Sequence, residues 1–168
     1  MNAVVLFVCT GNVCRSPLAE ALLRKSLPAD SPWRAASAGL CAIDGCPASD
    51  NAIKAAAEVG CDLGAHRSRA LSSQLVCESS LIVTMTEAHM WQISARFPGA
   101  ADKLHLMLEF DPAAPALCPV TDPFRGSLED YRRCRDTIRK ALPGLAHFLA
   151  QTRTSDHRTP KQGYPHDR

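Results

Sequence analysis

The sequence predicts an α/β fold: a single-domain, four-stranded parallel sheet with helices on both faces and a phosphate-binding loop after the first strand. Three observations predict it. An apolar, β-branched run, Val4-Val5-Leu6-Phe7-Val8, opens the chain and reads as a buried strand. Strand-like and helix-like stretches then alternate four times, the pattern of a parallel sheet covered on both sides. Between the first strand and the first helix lies Cys9-Thr10-Gly11-Asn12-Val13-Cys14-Arg15-Ser16-Pro17. Such a loop can turn several backbone N–H groups inward at a positive helix N-terminus, which makes an anion site.

Each element has its own signal. Leu18-Ala19-Glu20-Ala21-Leu22-Leu23 reads as the first helix, with Ser16 as N-cap and Pro17 at the first helical position. Pro28 to Pro32 break the chain, and Trp33 to Gly39 form a short second strand. After a loop from Leu40 to Ser49, Ala52, Ile53, Ala56 and Val59 recur at helical spacing, and Gly60 is the stop. Leu71 to Val76 suit a short helix, and Ser80-Leu81-Ile82-Val83-Thr84-Met85 a third strand. Thr86 caps a helix running to about Arg96, and Lys103 to Met107 form the fourth strand. Glu109 to Arg125 are proline-rich and aperiodic, a long loop of the kind that often carries function. Ser127 opens the last helix with Asp130 three residues on, and Leu128, Tyr131, Cys134, Ile138, Leu142, Leu145 and Phe148 form its apolar stripe. Pro143 should kink or restart that helix. The domain is expected over residues 1–151, with a disordered tail at 152–168 that has almost nothing to bury.

Composition narrows the function. The chain has 168 residues, a single-domain length, and an apolar fraction sufficient for a core. No apolar run approaches the roughly 20 residues that span a bilayer, and Met1-Asn2 lead directly into a strand, so neither membrane span nor signal peptide is expected. A formal charge of +2 gives no case for nucleic-acid affinity. Eight cysteines are scattered along helix and strand patterns without paired Cys-x2–4-Cys spacing, so no metal and no disulfide scaffold is expected. A monomeric cytoplasmic protein without cofactors fits these counts.

In a parallel sheet ligands bind beyond the carboxyl ends of the strands, and Cys9 ends the first one. Five residues separate it from Arg15. A free thiol is a weak nucleophile at neutral pH, and a helix N-terminus beside an arginine favours the thiolate. Loop N–H groups from Thr10 to Arg15 and the Ser16 hydroxyl can stabilise it. The same N–H groups and the Arg15 fork suit the three oxygens of a phosphoryl group while sulfur attacks in line. Cys9 is placed at the base of this pocket and Arg15 at its rim. A leaving oxygen also needs a proton, and Asp122-Pro123 in the late loop offers a general acid.

Cys9 to Ser16 together with Asp122-Pro123, Ser37-Ala38-Gly39 and His66-Arg67-Ser68 resemble the low-molecular-weight protein tyrosine phosphatases of the bacterial type, over roughly residues 3 to 150. The resemblance implies that Cys9 is the nucleophile, that Arg15 binds the phosphoryl group, and that Asp122 is acid and then base. Thr10, Gly11, Asn12, Val13, Cys14, Ser16 and Phe124 are implied to bind substrate, and Asn12 and Ser16 are further implied to join the loop-supporting Ser37 and His66 in a hydrogen-bond network that shapes the loop. It implies that Cys14 can form a disulfide with Cys9 under peroxide, which makes inactivation reversible. The implied partner is a phosphorylated protein, with a tyrosine kinase as one candidate.

Substrate turns on the pocket walls. Phe124 stands where many relatives carry tyrosine, and Leu40 to Ile43 are expected to form the wall opposite Val13. Thr84-Met85-Thr86, Asp122-Pro123-Phe124 and Gly126-Ser127 also resemble protein-arginine phosphatases of the same family, which carry threonine at the position of Val13. An apolar residue there suits an aromatic ring, so phosphotyrosine is favoured over phosphoarginine. Arsenate reductases of related fold need further cysteines after the third strand, and none occurs from Thr86 to Leu117. A non-catalytic phosphate-binding module would predict loss of Cys9, Arg15 or Asp122, and all three are present. No Gly-Lys-Ser/Thr follows Gly11, which removes the nucleotide-triphosphatase loop.

Overall fold

Strand β1, Ala3–Cys9, is flanked on both sides, by β2 (Trp33–Gly39) and by β3 (Leu81–Thr84). A short β4, Leu104–Leu106, pairs with β3, and all four strands run parallel in the order β2-β1-β3-β4. The computed structural model describes residues 3–152. The expected tail lies outside them, except Thr152, which closes the last helix.

The strand period divides the core in two. Val5, Phe7 and Cys9 face one cluster, shared with helices α1 (Arg15–Ser26), α2 (Asp50–Ala57) and α5 (Leu128–Thr152). Leu6 and Val8 face the other, with Val76 of α3 (Ser73–Glu78) and Ile93 of α4 (Glu87–Arg96). Burying Val5, Leu6, Phe7 and Val8 contributes about 1.5–3 kcal/mol each, which makes the interior strand β1 the centre of both core layers.

Helix α1 departs from expectation at its start. It begins at Arg15, with Cys14 at the cap position and no side chain bonded to the cap, so Ser16 is not the N-cap and Pro17 is the third helical residue. The Ser16 hydroxyl is spent elsewhere, on Cys9 and Asn12. Pro17 still sits in the first turn, where its missing N–H has no intrahelical partner to lose.

The remaining boundaries follow local chemistry. Thr86 caps α4, its side chain accepting from the His89 backbone N–H. Ser72 caps α3 in the same way, through Leu75, which sets that helix two residues later than expected. Gly60 ends the α2 region at φ +70°, a conformation glycine adopts without strain. Ser127 and Asp130 satisfy one another's backbone N–H at the start of α5. Pro143 lies inside α5 without restarting it, and the helix is continuous to Thr152. The late loop begins with a 3-10 turn, Met107–Phe110, and is pinned to the carboxyl edge of the sheet where Val120 N–H donates to Met85 O at 2.8 Å.

Candidate active site

The loop after β1 is held from behind by one residue. Asn12 is fully buried and left-handed, at φ 55°. Its Nδ2 donates to Ser16 Oγ and to Ser37 Oγ, both at 2.9 Å, while its Oδ1 accepts from Arg69 N–H at 2.9 Å. His66 Nε2 lies 2.8 Å from Asn12 O, and since a carbonyl only accepts, Nε2 carries the proton. Ser37, having accepted from Asn12, donates to Glu20 Oε2 at 2.5 Å. Asn12 and Ser16, expected to bind substrate, therefore turn their side chains into the protein beside Ser37 and His66. Gly39 completes the support: a Cβ there would stand 2.6 Å from Thr10 O and 2.9 Å from Asn12 N.

Cys9 is 2 % exposed, its sulfur 2.9 Å from Ser16 Oγ. Asn12 donates to the same oxygen, and the single serine hydrogen is within reach of the sulfur and, at 3.3 Å, of Ala38 O. Among the described residues, no hydrogen bond uses the backbone N–H of Gly11, Asn12, Val13, Cys14 or Ser16 as donor. These groups surround the first turn of α1, where an anion is favoured.

Arg15 is 5 % exposed, so it lies beneath the late loop and not at the rim. The reason is Val120, whose carbonyl accepts from Arg15 Nη1 at 3.4 Å. Arg15 Nη2 reaches Asp122 Oδ2 at 2.6 Å and Thr10 Oγ1 at 3.4 Å, and its buried Nε has no partner. Asp122 Oδ1 accepts from Phe124 N–H at 3.1 Å, which fixes the carboxylate at the cavity mouth.

A cavity of about 180 Å³ opens over the sulfur, lined by Cys9, Thr10, Gly11, Val13, Cys14, Arg15, Asp122 and Phe124. Leu40 to Ile43 do not form its opposite wall. Leu40 packs into the core on the far sheet face, and Ile43 points into solvent. Cys14 lines the cavity but its sulfur turns to Tyr131 Oη at 3.2 Å and Ser49 Oγ at 3.3 Å. Burial pushes the Cys14 thiol up, and burial together with the Cys14 contact pushes Tyr131 up to about 12. Glu20, Ser49, Tyr131, Val120 and His89 also reach the site, outside any of the motifs above. For His89 a signal existed: it sits three residues after a helix cap at the ligand-bearing edge of the sheet.

A buried sulfur facing unpaired N–H groups, a guanidinium and a carboxylate can take a phosphoryl group and then lose it to water. A family model described as low molecular weight phosphotyrosine protein phosphatase matches residues 4–155. The chain belongs to that family. Its members are cysteine-dependent phosphatases. A probable low molecular weight protein-tyrosine-phosphatase, EpsP, of Ralstonia nicotianae is 36% identical over 145 residues, covering 84% of this chain and 92% of the relative. A protein-arginine-phosphatase of Geobacillus stearothermophilus is 38% identical over 146 residues, covering 86% and 95%. The solved YwlE arginine phosphatase of Geobacillus stearothermophilus superposes with a TM-score of 0.81 at 35% identity, over 94% of this phosphatase and 99% of that chain.

Proposed function

We propose that this phosphatase hydrolyses phosphotyrosine in proteins through a cysteinyl-phosphate. The observation that carries the reading is the cavity itself, with Cys9 at its base, unpaired loop N–H groups around it and an apolar Val13 in its wall. Cys9 Sγ attacks phosphorus in line as the bond to the phenolic oxygen breaks. The loop N–H groups and Arg15 hold the three non-bridging oxygens as charge builds on them. Asp122, displaced from Arg15, takes up the proton that the Cys9 thiol loses as it attacks and passes it to the departing oxygen. As a carboxylate it then takes a proton from water, whose oxygen attacks phosphorus and releases Cys9 with inorganic phosphate. The reaction needs a free thiol, and all eight cysteines are free, which supports action in the reducing cytoplasm on a phosphorylated protein such as a tyrosine kinase. Among the described residues no helix is long and apolar enough to cross a membrane.

The second reading, phosphoarginine, is favoured by a relative of that activity at 38% identity. Val13 speaks against it, since it has no hydroxyl with which to orient water. A paired assay with phosphotyrosine and phosphoarginine peptides separates them. Cys9→Ser is expected to abolish turnover, and Asp122→Ala to slow it by about 10²–10⁴, most with the poorest leaving group. Full activity in Cys9→Ser overturns the mechanism, and preference for phosphoarginine overturns the substrate.

A further inference from the structure

At the cavity wall two side chains, 79 residues apart, meet in a contact that the reaction above does not use. Thr10 Oγ1 lies 3.0 Å from His89 Nε2 and, on its other side, 3.4 Å from Arg15 Nη2. His89 is 6 % exposed, and its other ring nitrogen, Nδ1, is buried without a partner. The helix cap fixes the ring's origin, because His89 N–H donates to Thr86 Oγ1.

One polarity satisfies this row of three groups. A guanidinium only donates, so Arg15 gives and Thr10 Oγ1 receives. The hydroxyl then has one hydrogen to place, and His89 Nε2 is within reach to accept it. This polarity puts the ring proton on the buried, unpartnered Nδ1, a cost carried to keep the Nε2 lone pair facing Thr10. The ring is neutral as well: burial and then the charge of Arg15 lower its pKa to about 4, with Asp122 opposing.

Arg15 needs such a hold at one moment. Its Nη2 is bound chiefly to Asp122 at 2.6 Å, and Asp122 must let go to protonate the leaving oxygen. Once Asp122 has gone, Nη2 and the unpartnered Nε are the donors open to a phosphoryl oxygen, and they keep their aim only while the guanidinium stays in place. We infer that His89 is a positioning residue for phosphoryl transfer, a neutral acceptor that turns the Thr10 lone pair onto Arg15 and steadies the guanidinium as Asp122 departs. This deepens the proposed roles of Arg15 and Asp122 and rests on them.

The test is a set of variants in the full chain, Thr10→Val, His89→Leu, His89→Gln and Thr10→Val/His89→Leu, each checked for folding by its melting transition. Binding of inorganic phosphate, read by calorimetry, reports the hold on Arg15 whether or not either peptide is a substrate. Thr10→Val and His89→Leu are each expected to weaken phosphate about tenfold, the loss of one hydrogen bond in the row. The double variant is expected to be no worse than either single one, since both break the same row. His89→Gln, whose side-chain oxygen can take the place of Nε2, is expected to recover binding to within about threefold of wild type. On whichever peptide is turned over, kcat should fall in the same order. Unchanged phosphate affinity in the single variants, or losses that add in the double one, overturns the inference. If His89→Leu does not fold, Thr10→Val and His89→Gln carry the same comparison. Absence of turnover on both peptides with the phosphate series as expected would instead overturn the substrate assignment.

Discussion

Cys14 and His89 are buried titratable groups near the reacting sulfur, both held neutral, and each gives a measurable consequence. Cys14 stays a thiol because burial disfavours its charge, and Ser49 and Tyr131 hold its sulfur in place. When peroxide converts Cys9 to a sulfenic acid, that thiol can close a Cys9–Cys14 disulfide as water leaves, and a dithiol can reopen it. Wild-type activity after peroxide is therefore expected to return with a thiol reductant. That of Cys14→Ser should stay lost to over-oxidation, and equal recovery of the two would sink the idea. His89 titrates at about 4 in the folded protein against an ordinary 6.5. Between those values the unfolded chain binds a proton that the folded one refuses, so acidification favours unfolding. The penalty is absent above about pH 6.5 and grows as pH falls towards 4, reaching roughly 2 kcal/mol by pH 5. Denaturant unfolding at pH 7 and pH 5 should show that loss in wild type and a smaller one in His89→Gln, and parallel losses would contradict it.

At the scale of elements, α1 and the late loop show why boundaries near the site were hard to read. Ser16-Pro17 has the local look of a cap and first turn, and by propensity alone the helix would begin there. Tertiary demand moved it: the Ser16 hydroxyl serves Cys9, and the helix starts two residues earlier with its N–H groups left open to an anion. The late loop was recognisable as a loop from its prolines, but its attachment was not. One backbone hydrogen bond from Val120 to Met85 O places it over Arg15, and a backbone contact carries no residue signature. By contrast Thr86, Gly60 and the Ser127–Asp130 pair were legible because capping is local chemistry. Helix α5 offers its own check. A Cβ on Gly144 would overlap the Phe110 carbonyl oxygen, backbone that cannot easily yield. Gly144→Ala is expected to cost at least about 2 kcal/mol by overpacking, despite alanine's better helix propensity, and a stability gain in denaturant unfolding would refute the close approach.

Over the whole molecule, the carboxyl edge of the sheet gathers what the chain separates. Cys9 ends β1, Met85 follows β3 and anchors the late loop, and α1 starts between them. The sheet and the cysteine loop could be read because each is a short contiguous pattern. Tyr131 could not, since it approaches the loop from 117 residues away and only packing brings it there, while His89, 79 residues away, is marked only by its place after a helix cap. The late aspartate is legible through its Asp-Pro pair, but its resting partner carries no local signal. In the free protein Asp122 occupies Arg15, at 2.6 Å, so the enzyme's own carboxylate stands where its product would be held. Any anion must evict this internal competitor, and its apparent affinity drops by the fraction of molecules in which Arg15 is vacant. Removing the competitor should make the product cling: Asp122→Ala is expected to bind inorganic phosphate several-fold more tightly by calorimetry than wild type, and equal or weaker binding would refute it. On the proposed mechanism, the residue that helps to free the phosphate also pushes it off Arg15, so the product does not linger on the enzyme.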